Sequence, residues 1–172
     1  NLSLSKLHTR QIGFPLSEAL IIREHVIAQG TIKNALYAQQ YGVSMNIAGG
    51  THHAFRDRPG AFCMLNDQAI ASNYLIENNL AKRVMIVDLD VHQGDGTASI
   101  FEHQDSVFTI SFHGQKNYPF KKENSNFDLP FDDNTEDRAY LNALEKNLPR
   151  LVDLFEPDFM FYLAGVDVLK TD

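Results

Sequence analysis

Asp88, Asp90 and His92 stand two residues apart at the end of an apolar run, Arg83 to Asp88, and lead into Gln93-Gly94-Asp95-Gly96-Thr97. Extended backbone turns alternate side chains to one face, so this spacing presents two carboxylates and an imidazole together. One such residue at a strand end usually caps the next helix. Three at period two, between an apolar strand and glycine turns, read as a metal or catalytic cluster. Carboxylate oxygen with imidazole nitrogen and no thiolate is the donor set of a catalytic zinc or iron site, where one position stays open for water. Asp167 ends a second apolar run, Phe159 to Leu163 with Ala164-Gly165-Val166 after it. Alone it carries no such meaning; beside Asp90 and His92 it supplies the third protein ligand. His52-His53 follow Gly49-Gly50-Thr51. By themselves adjacent histidines are as readily solvated or merely hydrogen-bonded, whereas beside an Asp/His cluster they read as proton-transfer groups near metal-activated water.

Other chemistries fit less well. Gly94-Asp95-Gly96-Thr97-Ala98-Ser99 after a strand resembles a dinucleotide fingerprint with Ser in the third Gly position. The carboxylates that precede it would crowd a pyrophosphate. No Gly-Lys-Ser/Thr occurs, so a phosphate-cradling P-loop is absent. His8, His25 and His103 sit in helical or polar stretches and read as structural. Cys63 has no base at a useful spacing and reads as a pocket-lining residue rather than a nucleophile.

The elements that must position these groups follow from periodicity. Ser17 to Gln29 reads as a helix opened by a capping Ser17, with Glu18 and Glu24 nearby, and stopped by Gly30. Thr31 to Tyr41 reads as a second helix ended by Gly42, and Val43 to Ala48 as a short strand running into the Gly49-Gly50 loop. Asp67 to Asn78 has helical period, Arg83 to Asp88 is a buried strand, Gly96 to His103 a short helix and Ser106 to Phe112 a strand. His113 to Asn126 reads as a long polar loop. Thr135 to Phe155 carries Leu141, Leu144, Leu148, Leu151 and Leu154 at helical spacing, and Phe159 to Leu163 is another buried strand. Alternating strands and helices predict an α/β fold of three layers, α/β/α, around a central, mostly parallel sheet. In such sheets ligands bind beyond the carboxyl ends of the strands, where the candidate residues lie.

Composition narrows the field. In 172 residues, 44% apolar, 15 Lys and Arg against 22 Asp and Glu leave a net charge of −7, the profile of one compact domain. That balance argues against a nucleic-acid partner and suits a substrate with a cationic part. No apolar run approaches the roughly 18 residues of a membrane span. A single cysteine excludes an internal disulfide and agrees with a reducing, cytoplasmic compartment. The chain begins at Asn1 and stops at Asp172 just after a motif-like segment, and is expected to be a piece of a longer protein.

Five segments in order resemble the zinc-dependent histone deacetylase family, including its bacterial and acetylpolyamine relatives: Gly49-Gly50-Thr51-His52-His53-Ala54, Ala61-Phe62-Cys63-Met64-Leu65-Asn66-Asp67, Asp88 to Thr97, Ser111-Phe112-His113 and Ala164-Gly165-Val166-Asp167. The resemblance implies a single catalytic domain over 1–172, truncated at both ends, with the arginase/deacetylase fold. It implies Asp90, His92 and Asp167 as ligands of zinc, with ferrous iron as the alternative. His52 and His53 become the catalytic pair, oriented by Asp88 and Asp95 respectively. Phe62 and Tyr118 become walls of an acyl-lysine tunnel, with Gly165 at the substrate. Asp88, Ser111 and Phe112 match a structural potassium site. The implied activity is hydrolysis of acetyl-lysine or of small acetylated amines such as polyamines. Gln93 replaces the second His of many members and receives no role; Ala61 replaces a Gly, and the family's oxyanion-stabilising Tyr would lie beyond Asp172. Two rivals stand beside this reading. A two-metal ureohydrolase of arginase type would want Asp-x-His-x-Asp, whereas Gln93-Gly94 separate His92 from Asp95. A non-catalytic acyl-lysine binding module is the other.

Overall fold

The computed structural model describes residues 4–169. Its elements run α1 (Lys6–Ile12), α2 (Glu18–Tyr41), α3 (Asp67–Glu77), β1 (Val84–Asp88), α4 (Asp95–Phe101), β2 (Val107–Gly114), β3 (Phe127–Phe131), α5 (Asp137–Phe155) and β4 (Phe159–Leu163). The four strands form one parallel sheet in the order β3-β2-β1-β4. β1 is buried along its whole length because it is apolar on both faces. Val84 and Ile86 join Ala35, Ala69, Leu75 and Phe101 in a core under α2, α3 and α4, while Met85 and Val87 pack with Leu151, Leu144, Leu148 and Val152 under α5. The architecture is the expected three-layer α/β/α fold.

Register decides where the chemistry gathers. Asp88 pairs with Ser111 of β2 on one side and Leu163 of β4 on the other. The segments leaving β1, β2 and β4 therefore emerge together at one edge, which brings 89–95, 112–114 and 164–167 into one neighbourhood.

Several local expectations are corrected. Gly30 does not end a helix: α2 continues through it, and a Cβ there would lie 3.1 Å from Asn46 Nδ2, which donates to Thr31 Oγ1. A mid-helix glycine costs about 1 kcal/mol, and here it lets the 43–48 segment approach closely. Val43–Ala48 is not a strand: Val43, Met45 and Ile47 are 82%, 83% and 98% exposed, and the segment has no ladder partner among the described residues. β2 extends through His113 and Gly114, which the sequence reading placed in a loop. The unassigned Phe127–Phe131 is a strand carrying Pro130, tolerated because β3 is an edge of this sheet. In α5, Leu141 and Leu154 are exposed rather than core-facing. Among the described residues no helix is long and apolar enough to cross a membrane.

Candidate metal centre and tandem histidines

The segment leaving β1 is fixed by its neighbours. Leu89 N donates to Leu163 O of β4, Gly114 N of β2 donates to Val91 O, and Val91 N donates to Asp167 Oδ1. Asp88 Oδ1 accepts from Asp90 N, and Asp90 Oδ1 from His92 N. These bonds fold the period-two residues into a tight turn that packs Asp90, His92 and Asp167 together, with one donor atom of each within 4.8 Å of the others. His92 Nδ1 lies 3.0 Å from both Asp90 Oδ1 and Asp167 Oδ2. Gly165 permits this closeness, since a Cβ there would sit 2.5 Å from Asp90 Cα.

This trio fits a divalent cation on its own electrostatics. Burial pushes the Asp90 carboxyl above its ordinary value, and the charges of Asp88 and Asp167 act in the same direction, opposed by His52 and the His92 N–H. A cation among these oxygens relieves that repulsion, and two carboxylates with an imidazole are a zinc or iron donor set.

Beside it, His52 Nδ1 donates to Asp88 Oδ2 at 2.6 Å and His53 Nδ1 to Asp95 Oδ1 at 2.7 Å. Each Nδ1 proton is thereby fixed, leaving Nε2 as the working nitrogen. The two rings are tilted 49° to each other with centroids 4.1 Å apart, and the His53 ring lies 6.0 Å from that of His92. Their electrostatics differ. Burial works against charge on His52, yet the Asp88 charge and hydrogen bond, with Asp90 and Asp95, outweigh it and lift its pKa to about 9. Burial lowers His53, the Asp95 bond opposes this, and the charge of His52 lowers it further. Proton affinity is thus raised at His52 and lowered at His53.

The pair does not follow a strand, as expected, but a turn that Asp67 and Asn66 hold in place. Asp67 Oδ1 accepts from Thr51 N and Oγ1, and its Oδ2 from Thr31 Oγ1. Asn66 Nδ2 donates to His52 O, Ala54 O and Thr97 Oγ1, while its Oδ1 caps α3 at Ala69 N. Gly96 must be glycine, because a Cβ would fall 2.3 Å from Ala54 O.

One aromatic ring flanks the histidines directly. The Tyr118 ring stands edge-on to His53 at 4.9 Å. Phe62, 60% exposed and at φ 61, packs on Phe14 at 5.1 Å. Ser111 sits beside Asp88 by register, whereas the Phe112 side chain turns to the opposite face, into the core under α5. Cys63 is buried, and burial pushes its thiol up to about 12, which leaves no nucleophilic thiolate near neutrality. His25 and His103 are exposed, His8 is half-buried, and none joins the cluster.

The family model described as the histone deacetylase domain matches residues 5–172. The chain belongs to the histone deacetylase family. An uncharacterised protein of Picosynechococcus is 46% identical over 158 residues, covering 92% of this chain and 53% of the relative. Among solved structures, a deacetylase homologue from Aquifex aeolicus superposes with a TM-score of 0.80 at 26% identity, over 98% of this chain and 54% of that one. An acetylpolyamine aminohydrolase from Burkholderia pseudomallei gives 0.77 at 27%, over 92% and 50%. The chain spans about half the length of the relatives it matches. The last three residues of the family match lie outside the described residues.

Within this deacetylase-family chain, sequence reasoning gave no role to Phe14, Asn66, Asp67 or Gln93. The signal for Asn66-Asp67 was present, since Asn then Asp before a helical run marks an N-terminus. What it could not reveal is that the same side chains also clamp the histidine turn.

Proposed function

We propose that the complete protein hydrolyses acetylated amines, either acetyl-lysine or small acetylated amines such as polyamines. The observation that carries this reading is the pairing of His52 with Asp88 and His53 with Asp95 directly beside the Asp90–His92–Asp167 trio. Asp90, His92 and Asp167 would hold zinc or ferrous iron, which supplies Lewis acidity to a carbonyl and to water, whose pKa such an ion can lower from 15.7 to about 7. The remaining work falls to the protein's own groups. His53 Nε2 takes the proton of the attacking water and delivers it to the leaving amine, while Asp95 holds the opposite ring nitrogen. His52 places positive charge where the carbonyl oxygen becomes negative, and Asp88 sustains that charge. Phe62 and Tyr118 bury the methylenes of the acylated arm at about 0.8 kcal/mol per CH₂. Gly165 lets the Asp90 backbone approach it closely and would line the acyl end of the site. Asp88, Ser111 and Phe112 would hold a structural potassium ion beneath the site. The net charge of −7 favours a carrier with a cationic remainder.

The ureohydrolase alternative needs Asp95 for a second metal, yet Asp95 is committed to His53 Nδ1 and to Gly96 N. The test uses the full-length protein with its metal quantified, assayed against acetyl-lysine peptides and acetylated polyamines in parallel. One zinc or iron per chain with release of acetate is expected, and His53→Ala should keep the metal but lose turnover. Two manganese ions with urea release would favour the ureohydrolase. Binding of acetylated ligand without acetate release would favour a non-catalytic module.

A further inference from the structure

Gln93 follows His92 directly and is 1% exposed. Its carboxamide is fully used. Nε2 donates to Glu123 O and to Asp128 Oδ1, each at 2.8 Å, and Oε1 accepts from Glu123 N at 3.0 Å. The paired bonds to both backbone groups of Glu123 imitate one rung of a strand ladder. That rung joins the 89–95 segment, which carries Asp90 and His92, to the 115–126 segment, which carries Tyr118. Among the described residues no other hydrogen bond joins these two segments. The 115–126 segment is braced internally: Lys122 Nζ donates to Asn117 O and Pro119 O, and Asp128 Oδ2 accepts from Ser125 N. Phe120 at its tip is 91% exposed.

We infer that Gln93 is a positioning residue that locks the Tyr118 segment onto the metal-ligand segment and so fixes the Tyr118 ring against His53. A buried carboxamide is unfavourable unless every donor and acceptor is paired, and here all are. The catalytic consequence rests on the acetyl-amine reading above; the locking does not. Without the lock, the Tyr118 wall loosens and substrate binding weakens, while the histidine pair, held by Asp88 and Asp95, keeps its geometry.

The test compares full-length wild type with Gln93→Leu, which removes all three bonds at similar volume, and Gln93→Glu, which turns both donor contacts into oxygen facing oxygen. Hydrogen exchange resolved to 117–123 should accelerate at least about tenfold in both variants, with metal content unchanged. KM for an acetyl-lysine peptide should rise about tenfold with kcat within threefold, and Gln93→Leu should add little in a Tyr118→Ala background. Unaltered exchange in the variant that retains its metal overturns the inference, as does a fall in kcat with KM unchanged or a fully additive double mutant. A wild type without turnover defeats the acetyl-amine reading alone, and exchange then decides the lock by itself.

Discussion

Gly165→Ala isolates the close approach on which the candidate metal site depends. The added Cβ would lie 2.5 Å from Asp90 Cα, 2.7 Å from its Oδ2 and 2.8 Å from its Cβ. Two of these atoms belong to the main chain or its first carbon, so no rotamer change relieves the overlap. Ordinary contact begins at 3.4 Å, so Asp90 and the segment that bears Gly165 must separate by about 0.9 Å. Metal–ligand distances tolerate only about 0.2 Å, so a displacement several times larger should pull Asp90 and Asp167 out of common reach. Zinc affinity is expected to fall about 10- to 100-fold, or about 1.4–2.8 kcal/mol, with about 1–3 kcal/mol lost from metal-free stability through overpacking. The control is Gly42→Ala at φ +87, where nothing lies within 4 Å: it strains backbone but should leave zinc binding alone. Competition of metal-free full-length protein against a chromogenic chelator measures the affinity, and thermal unfolding the stability. Zinc binding by Gly165→Ala within twofold of wild type would show that the Asp90–Asp167 spacing is not what this glycine protects.

Asp95→Asn replaces the acceptor at His53 Nδ1 by a group that can donate, favouring the tautomer whose Nε2 carries the proton; kcat/KM should drop on the order of 10²–10⁴-fold with metal content intact, and a loss under threefold removes Asp95 from the mechanism. Tyr140→Phe deletes a buried hydroxyl that has no partner among the described residues and whose pKa burial pushes up to about 12. Urea unfolding should show unchanged or slightly raised stability, by up to about 1 kcal/mol, and a loss beyond 1 kcal/mol would reveal a partner for that oxygen. Cys63 should react with a thiol reagent at about pH 8 on the order of a thousandfold more slowly in native than in urea-unfolded protein, read by peptide mass mapping; comparable rates would contradict its burial.

Periodicity made the layers legible. Val84–Asp88, Phe159–Leu163, Asp67–Glu77 and most of α5 carry runs or spacings that only one kind of element buries. Asp88, Asp90 and His92 were legible by type and spacing, but not through the extended backbone expected of them: β1 ends at Asp88 and a turn folds the three together. The failures share a cause: remote contacts overrode local signals. Gly30 reads as a stop, but α2 runs on through it, with Asn46 packed against the glycine. Val43–Ala48 has strand composition yet no ladder among the described residues, while Phe127–Phe131 pairs with β2 despite Pro130. Asn66 and Gln93 escaped because their partners are backbone groups 12 to 30 residues away. A carboxamide that satisfies a distant carbonyl leaves no pattern in composition.

The two adjacent histidines show how far environment, rather than residue type, assigns chemical roles. Both are buried and each donates Nδ1–H to a carboxylate, so spacing and composition make them equivalent. Position separates them. His52 meets Asp88 at the end of β1, with its Nε2 3.9 Å from Asp90 Oδ1, so carboxylates face both of its nitrogens and hold a proton there. His53 meets a single carboxylate, Asp95, and its other neighbours are the His52 and Tyr118 rings. A cation among Asp90, His92 and Asp167 would offset the Asp90 contribution to His52 but not the 2.6 Å bond to Asp88. The order of the two proton affinities is therefore built into where each carboxylate stands, Asp88 at the end of β1 and Asp95 at the start of α4. A base beside a standing positive charge is what amide cleavage asks of a tandem pair.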